Sequence, residues 1–376
     1  MNHSRIQGGW GRPKGAPRLW KTGGSLRSTP ATPSDLLVLK LLVVLWAILV
    51  HLWVVHPSVV VAADFPSDVF ADQRVQAVTE LVFTEGPAYH ADGSVYFSDL
   101  PGNRIMRWVR NADRAHVFLQ PSGRANGLLF DRQGGLLACE GNEHGGLGGR
   151  RLVRIDLRTK RRTLIADKFQ GKRFNSPNDL CIDDQGRIYF TDPYYGPLRN
   201  ELEMDVEAVY RVDPDGKNLI RVLGKNQVKQ PNGIAISADN RLLFVVDTRS
   251  GSQKLYAFPL DDDGLPTGKR REFYDFGKGR GGDGMCIDVK DNIYVAAGAD
   301  RYYPNQNLDN PAGVYVFSRQ GTSLGFIPVP EDMVANCCFG DPDLKTLYVT
   351  AGKTLWRIRV KIPGRVAWPQ AVQSAN

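Results

Sequence analysis

Six copies of one short pattern run through the chain, and they constrain its fold more than any other feature. They open at Glu85, Asn126, Asn178, Asn232, Asp283 and Asn336, at spacings of 41, 52, 54, 51 and 53 residues. Each copy is a short apolar stretch, a tight Asp/Gly/Asn turn and a second stretch rich in Ile, Leu, Tyr, Phe and Val, which is the sequence form of a β-hairpin. Asn232-Gly-Ile-Ala-Ile-Ser-Ala-Asp-Asn-Arg-Leu-Leu-Phe-Val-Val-Asp247 shows it plainly. Two more alternating stretches follow most copies, such as 208–212 and 219–223 after the third, so each repeat supplies four strands. Four-stranded repeats of this length predict an all-β fold, a six-bladed β-propeller with four-stranded blades over residues 72–364. The stretch 354–360 is expected to pair with chain near 76–82 and close the ring. The 39 glycines and 23 prolines agree with frequent turns and argue against long helices.

The formal charge of +8 raises the question of a nucleic-acid or anionic-membrane partner. Residues 1–63 hold seven basic side chains and one acid, which leaves 41 basic against 39 acidic residues in the body. The basic character therefore belongs to the leader, and the body makes no electrostatic case for nucleic-acid binding.

That leader reads as a basic n-region over residues 1–35 followed by a hydrophobic run, Leu36–Val55, broken only by Lys40 and His51. Val61-Ala62-Ala63 ahead of Asp64 fits a signal-peptidase site, so a cleaved secretory signal is the preferred reading. An uncleaved membrane anchor is the alternative, since about 20 apolar residues span a bilayer. Either way the body is expected to be periplasmic, secreted or anchored facing outside the cytoplasm. Residues 64–71 read as a linker and 365–376 as a C-terminal tail.

Five cysteines (Cys139, Cys181, Cys286, Cys337, Cys338) form no CxxC pair, and most lie in apolar strand-like segments. They read as small buried hydrophobes, without disulfide or zinc roles.

In a propeller the residue opening each repeat stands just before the innermost strand, so all six openers are expected to converge on one mouth of the channel. All six carry a side-chain oxygen. Asn and Asp are also ordinary turn residues. Six equivalent positions without Gly or Ser, one of them Glu, read better as ligands of a metal site at that mouth. Two carboxylates with amide oxygens, and no His or Cys, suit a hard cation such as Ca²⁺ better than Zn²⁺.

Glu85-Gly-Pro, Phe174-Asn-Ser-Pro-Asn178-Asp-Leu, Ile188-Tyr-Phe-Thr-Asp-Pro-Tyr-Tyr-Gly196, Gln230-Pro-Asn232-Gly and Gly282-Asp283-Gly-Met together resemble the gluconolactonase branch of the gluconolactonase / senescence marker protein (regucalcin) family. The resemblance spans nearly the whole body. It implies one divalent metal at the channel mouth, with Glu85, Asn178, Asn232 and Asp283 as ligands and Asp283 also the general base. It places Asn126 and Asp179 near the substrate or behind the metal. The implied partner is a small sugar lactone, and the implied cation is Ca²⁺, with Zn²⁺ or Mg²⁺ as alternatives.

Lactone hydrolysis needs a polarised carbonyl, an attacking water and a place for the charge of the tetrahedral intermediate. Asp283 is expected to orient and deprotonate that water, with a metal-bound hydroxide as the rival base. His144, in the Gly-rich stretch 141–149, and Tyr195 are further candidates to touch substrate, as are Tyr194, Arg124 and Arg173. The Gly-rich stretch lacks the context of a phosphate-binding loop. Two other classes stay open: a non-catalytic propeller that binds carbohydrate or protein around a structural metal, and a hydrolase of organophosphates, which some family relatives are. The loop 300–311 would bear on that choice.

Overall fold

The structure is a computed structural model that describes residues 83–142, 148–249, 253–301 and 308–366, together with the backbone of strands Val60–Val61 and Arg74–Glu80. The leader, His144, most of the loop 300–311 and the last ten residues lie outside the described residues. Among the described residues no helix is long and apolar enough to cross a membrane, and the run Leu36–Val55 is not among them.

Five antiparallel four-stranded sheets follow one another along the chain, beginning at Thr84, Ala125, Leu180, Pro231 and Gly282. The sixth sheet is closed by the two ends of the body. Arg74–Glu80 pairs antiparallel with Thr354–Arg359, Gln76 opposite Arg357, and Val60–Val61 adds a short edge strand. This is a six-bladed propeller with four-stranded blades, and the pairing of its ends is the one expected from the sequence.

The hairpins form for a reason visible in the turns. At the end of three inner strands an aspartate turns its side chain back on the loop. Asp131 Oδ1 accepts from the N–H groups of Gln133 and Gly135, Asp183 Oδ1 from those of Gln185 and Arg187, and Asp288 Oδ1 from those of Lys290 and Asn292. Each such Asx turn fixes the register of the following strand.

Burial runs in a gradient from axis to rim. The second strands Ser94–Asp99, Ile188–Asp192, Ile293–Ala297 and Thr346–Ala351 are buried on both faces, which is why they read as continuous apolar runs. The outer strands His116–Leu119 and Arg162–Ala166 are part-exposed, each burying its C-terminal end. Six apolar clusters fill the six clefts between neighbouring blades. Tyr96, Phe130 and Val153 lie between blades 1 and 2, and Tyr348, Phe97 and Trp108 between blades 6 and 1. The cysteines take part as small apolar side chains, and all five are free thiols. Cys286 and Cys337 place their sulfurs 3.3 Å apart between the inner strands of blades 5 and 6.

The described chain continues past blade 6 to Val366. Arg365, the first residue of the expected tail, donates from its backbone to Ile287 O and from its guanidinium to Ile236 O, and pairs with Asp184. It thereby spans the ends of inner strands at the far mouth of the channel.

Candidate active site

The loops that enter the inner strands are held down by carboxylates at the ends of the neighbouring second strands. Asp192 accepts from the backbone N–H groups of Asn175 and Ser176, and Asp247 from those of Lys229 and Gln230, at 2.8–3.1 Å. These bonds fix the chain just before Asn178 and Asn232. Inner strands then approach the axis so closely that side chains have no room. A Cβ on Gly233 would stand 2.0 Å from the carbonyl oxygen of Asp283, which is why glycine follows the opener there.

At the mouth this packing opens a cavity of about 590 Å³. Glu85, Asn126, Asn178, Asn232 and Asp283 all line it, the first four nearly buried and Asp283 part-exposed. Five of the six openers therefore meet as expected. Asn336 does not: its amide lies 2.0 Å from where Gly284 would carry a Cβ, donates to Asp179 Oδ2 at 3.4 Å, and lines the channel below the mouth. The absence of a side chain at Gly284 leaves a slot that draws Asn336 inward.

Asp179, expected near the substrate or behind the metal, is likewise in the channel below the mouth and does not line the mouth itself. Burial pushes its carboxyl up to about 7, against the hydrogen bond from the Leu180 N–H, and the nearby charge of Asp283 pushes the same way. Tyr194 is corrected too: it is 1% exposed, its hydroxyl accepts from the Leu198 N–H, and only Tyr195 reaches the mouth. Tyr195, 42% exposed, shares a 2.6 Å hydrogen bond with the Thr248 hydroxyl. Arg124 spends one guanidinium nitrogen on the Leu100 and Pro101 carbonyls, and Arg173 pairs with Glu203 on the surface; neither lines the cavity.

Asp283 is the group with the most constrained surroundings. Arg280 Nη2 donates to its Oδ2 at 2.6 Å, and the Asn232 amide donates to the carboxylate as well. Burial raises its pKa to about 6, and these two partners hold it from going further. Arg280 is itself fixed by donating to Val334 O and Gly298 O, and its loop by Asn310, which donates to Arg280 O.

Sequence reasoning missed Arg280, Gln230, Gln253 and Thr248, all of which line the cavity, along with the apolar Phe83, Leu100 and Met333. One signal was available. Phe83, Gln230 and Arg280 stand two or three residues before an opener, on the loops that face the mouth.

Among the described residues no three His, Cys, Asp or Glu side chains gather as a metal cluster. The openers at the mouth instead present two carboxylates and three neutral amides around one cavity. That all-oxygen donor set fits a hard divalent cation better than a nitrogen- or sulfur-seeking one.

The profile of the SMP-30/Gluconolactonase/LRE-like region matches residues 83–353. The chain belongs to that family. It is 32% identical over 312 residues to a gluconolactonase of Zymomonas mobilis, covering 76% of this chain and 81% of that one. It is 25% identical over 274 residues to the regucalcin of Danio rerio, covering 71% and 82%. Among solved structures, a gluconolactonase from Xanthomonas campestris superposes with a TM-score of 0.65 at 29% identity, over 82% of this chain and 99% of that one. The calcium-binding regucalcin of Agrobacterium tumefaciens, at 21% identity and a TM-score of 0.61, shares the fold over 80% of this chain and 96% of its own.

Proposed function

We propose that this chain hydrolyses sugar lactones at the mouth of its propeller, where Glu85, Asn178, Asn232 and Asp283 hold one divalent cation. The observation that carries the reading is the meeting of these four side chains on one cavity in a chain whose family includes gluconolactonases. Family membership makes the chain a lactonase, a hydrolase acting on carboxylic ester bonds. Ca²⁺ is the favoured ion for an all-oxygen set, with Mg²⁺ and Zn²⁺ as alternatives. Such a cation, when bound, supplies Lewis-acid polarisation of the lactone carbonyl and offsets the charge of the tetrahedral intermediate.

The chain's own residues supply the rest. Asp283 orients a water and takes its proton as the general base. Arg280 fixes that carboxylate through Oδ2, so the water meets it in one orientation. Asn126, Tyr195, Gln230, Thr248 and Gln253 offer the amide and hydroxyl groups that bind substrate oxygens. As the ring C–O bond breaks, the proton held by Asp283 passes to the leaving ring oxygen and the open hydroxy acid departs.

The basic, apolar leader supports work outside the cytoplasm, and the N-terminal sequence of the mature protein tests removal ahead of Asp64 against retention as an anchor. The function itself is tested by proton release from glucono-δ-lactone. Turnover is expected to vanish on dialysis against a chelator and to return with added Ca²⁺. Undiminished turnover in chelator would overturn the cation's part, and tight Ca²⁺ binding without turnover of any lactone would favour a binding propeller.

A further inference from the structure

The cavity at the mouth has two unlike sides. Tyr195, Gln230, Thr248, Gln253 and Arg280 stand on blades 3 to 5, whereas Phe83, Leu100 and Met333 stand on blades 1 and 6. In a ring of six, blade 1 faces blade 4 and blade 6 faces blade 3, so Phe83 and Leu100 oppose Gln230, Thr248 and Gln253, and Met333 opposes Tyr195; Arg280 adjoins the blade of Met333, and Glu85 is the carboxylate on blade 1. A sugar lactone such as glucono-δ-lactone carries a dozen heavy atoms, half of them oxygen. It would leave the half-buried Phe83 and Met333 without a partner and much of a cavity of about 590 Å³ unfilled.

Met333 adds a second observation. It adopts φ +59°, a left-handed backbone that is costly for any residue with a Cβ. Its carbonyl accepts from the Gly352 N–H at 3.1 Å, which holds the turn in place. The side chain so presented is an unbranched thioether, well suited to irregular apolar contact.

We infer that the mouth takes a lactone bearing an apolar substituent, its ring and polar oxygens toward blades 3 to 5 and the substituent laid along Phe83, Leu100 and Met333. This rests on the lactonase reading above and names the substrate class within it. Each methylene buried along the wall is worth roughly a fourfold gain in binding, so a short alkyl chain gives a large signal.

The test compares kcat/KM of the full chain, with Ca²⁺ present, for glucono-δ-lactone, δ-valerolactone and δ-decalactone, which is δ-valerolactone with an alkyl chain on the ring. The expected result is a preference for δ-decalactone over δ-valerolactone of at least about tenfold. Met333→Gly is expected to bring that ratio down severalfold while the melting temperature holds or rises, because glycine takes the left-handed backbone freely. Turnover of glucono-δ-lactone with no preference between the other two would overturn the proposal and leave the lactonase reading standing. A preference that Met333→Gly does not change would also overturn it. Failure to hydrolyse any of the three would sink the lactonase reading itself, and this inference with it.

Discussion

Asp192 shows how a single buried side chain serves the site from behind. It is fully buried, accepts two backbone hydrogen bonds from the loop before Asn178, and has Arg150 and Glu207 as its nearest charges. Burial raises its pKa from 3.8 to about 7. The native state therefore keeps a proton that the unfolded chain has lost across that window. Stability from this group is fullest below about pH 4 and falls as pH rises towards 7, by up to about 1.4 kcal/mol per pH unit. Denaturant titrations of wild type and Asp192→Asn between pH 4 and 7 should show the wild type losing ground to the variant as pH rises; a constant difference would contradict the assignment. At the same scale, Gly233→Ala forces a methyl against the Asp283 carbonyl and should cost about 1–3 kcal/mol in thermal unfolding. Five openers could be read from the sequence because one position in each repeat precedes the inner strand. Asn336 could not, since what draws it inward is the missing side chain of Gly284 on the next blade, a contact that no local pattern records. Arg280 was hidden for a different reason: it sits in a loop of no fixed pattern, and nothing in the local sequence marks its pairing with Asp283 three residues on.

At the scale of the element, the blade hairpins were legible because their turns carry their own instructions in Asp131, Asp183 and Asp288. The second strands end in a different instruction. Asp247 ties the loop leading to Asn232 through two backbone N–H groups, and the same carboxylate position is Asp99 in blade 1, which accepts from the Phe83 N–H, and Asp192 in blade 3. Asp247→Ala leaves those donors without their partner, at a cost of about 1–3 kcal/mol. It should also loosen Gln230 and Asn232, raising KM and weakening Ca²⁺ binding by calorimetry, while Asp247→Asn recovers part of both. Equal effects of the two substitutions would show that the carboxylate does not position the loop. Tyr194 and Tyr195 were indistinguishable as sequence, because which of two adjacent residues turns into the core depends on where the strand ends.

Across the whole molecule, the ring is closed by strand Arg74–Glu80, which completes blade 6 beside Thr354–Arg359. A chain beginning at Phe83 keeps every residue that lines the mouth yet exposes the edge of Thr354–Arg359. It should melt well below the full chain and aggregate through that edge, as followed by light scattering. Unchanged melting would mean that the closing strand contributes little. The closure was legible at a distance because the body has a strand too few at one end and one to spare at the other. The division of the mouth into an apolar and a polar side was not, since it arises from residues of blades 1, 3, 4, 5 and 6 that meet only in the folded ring. The central claim is that Asp283 at this mouth drives lactone hydrolysis. Its most direct test is proton release from glucono-δ-lactone by wild type and Asp283→Asn, each with its bound Ca²⁺ measured. The account predicts that the variant loses turnover by at least about a hundredfold while still binding Ca²⁺; turnover within a few fold of wild type would contradict it.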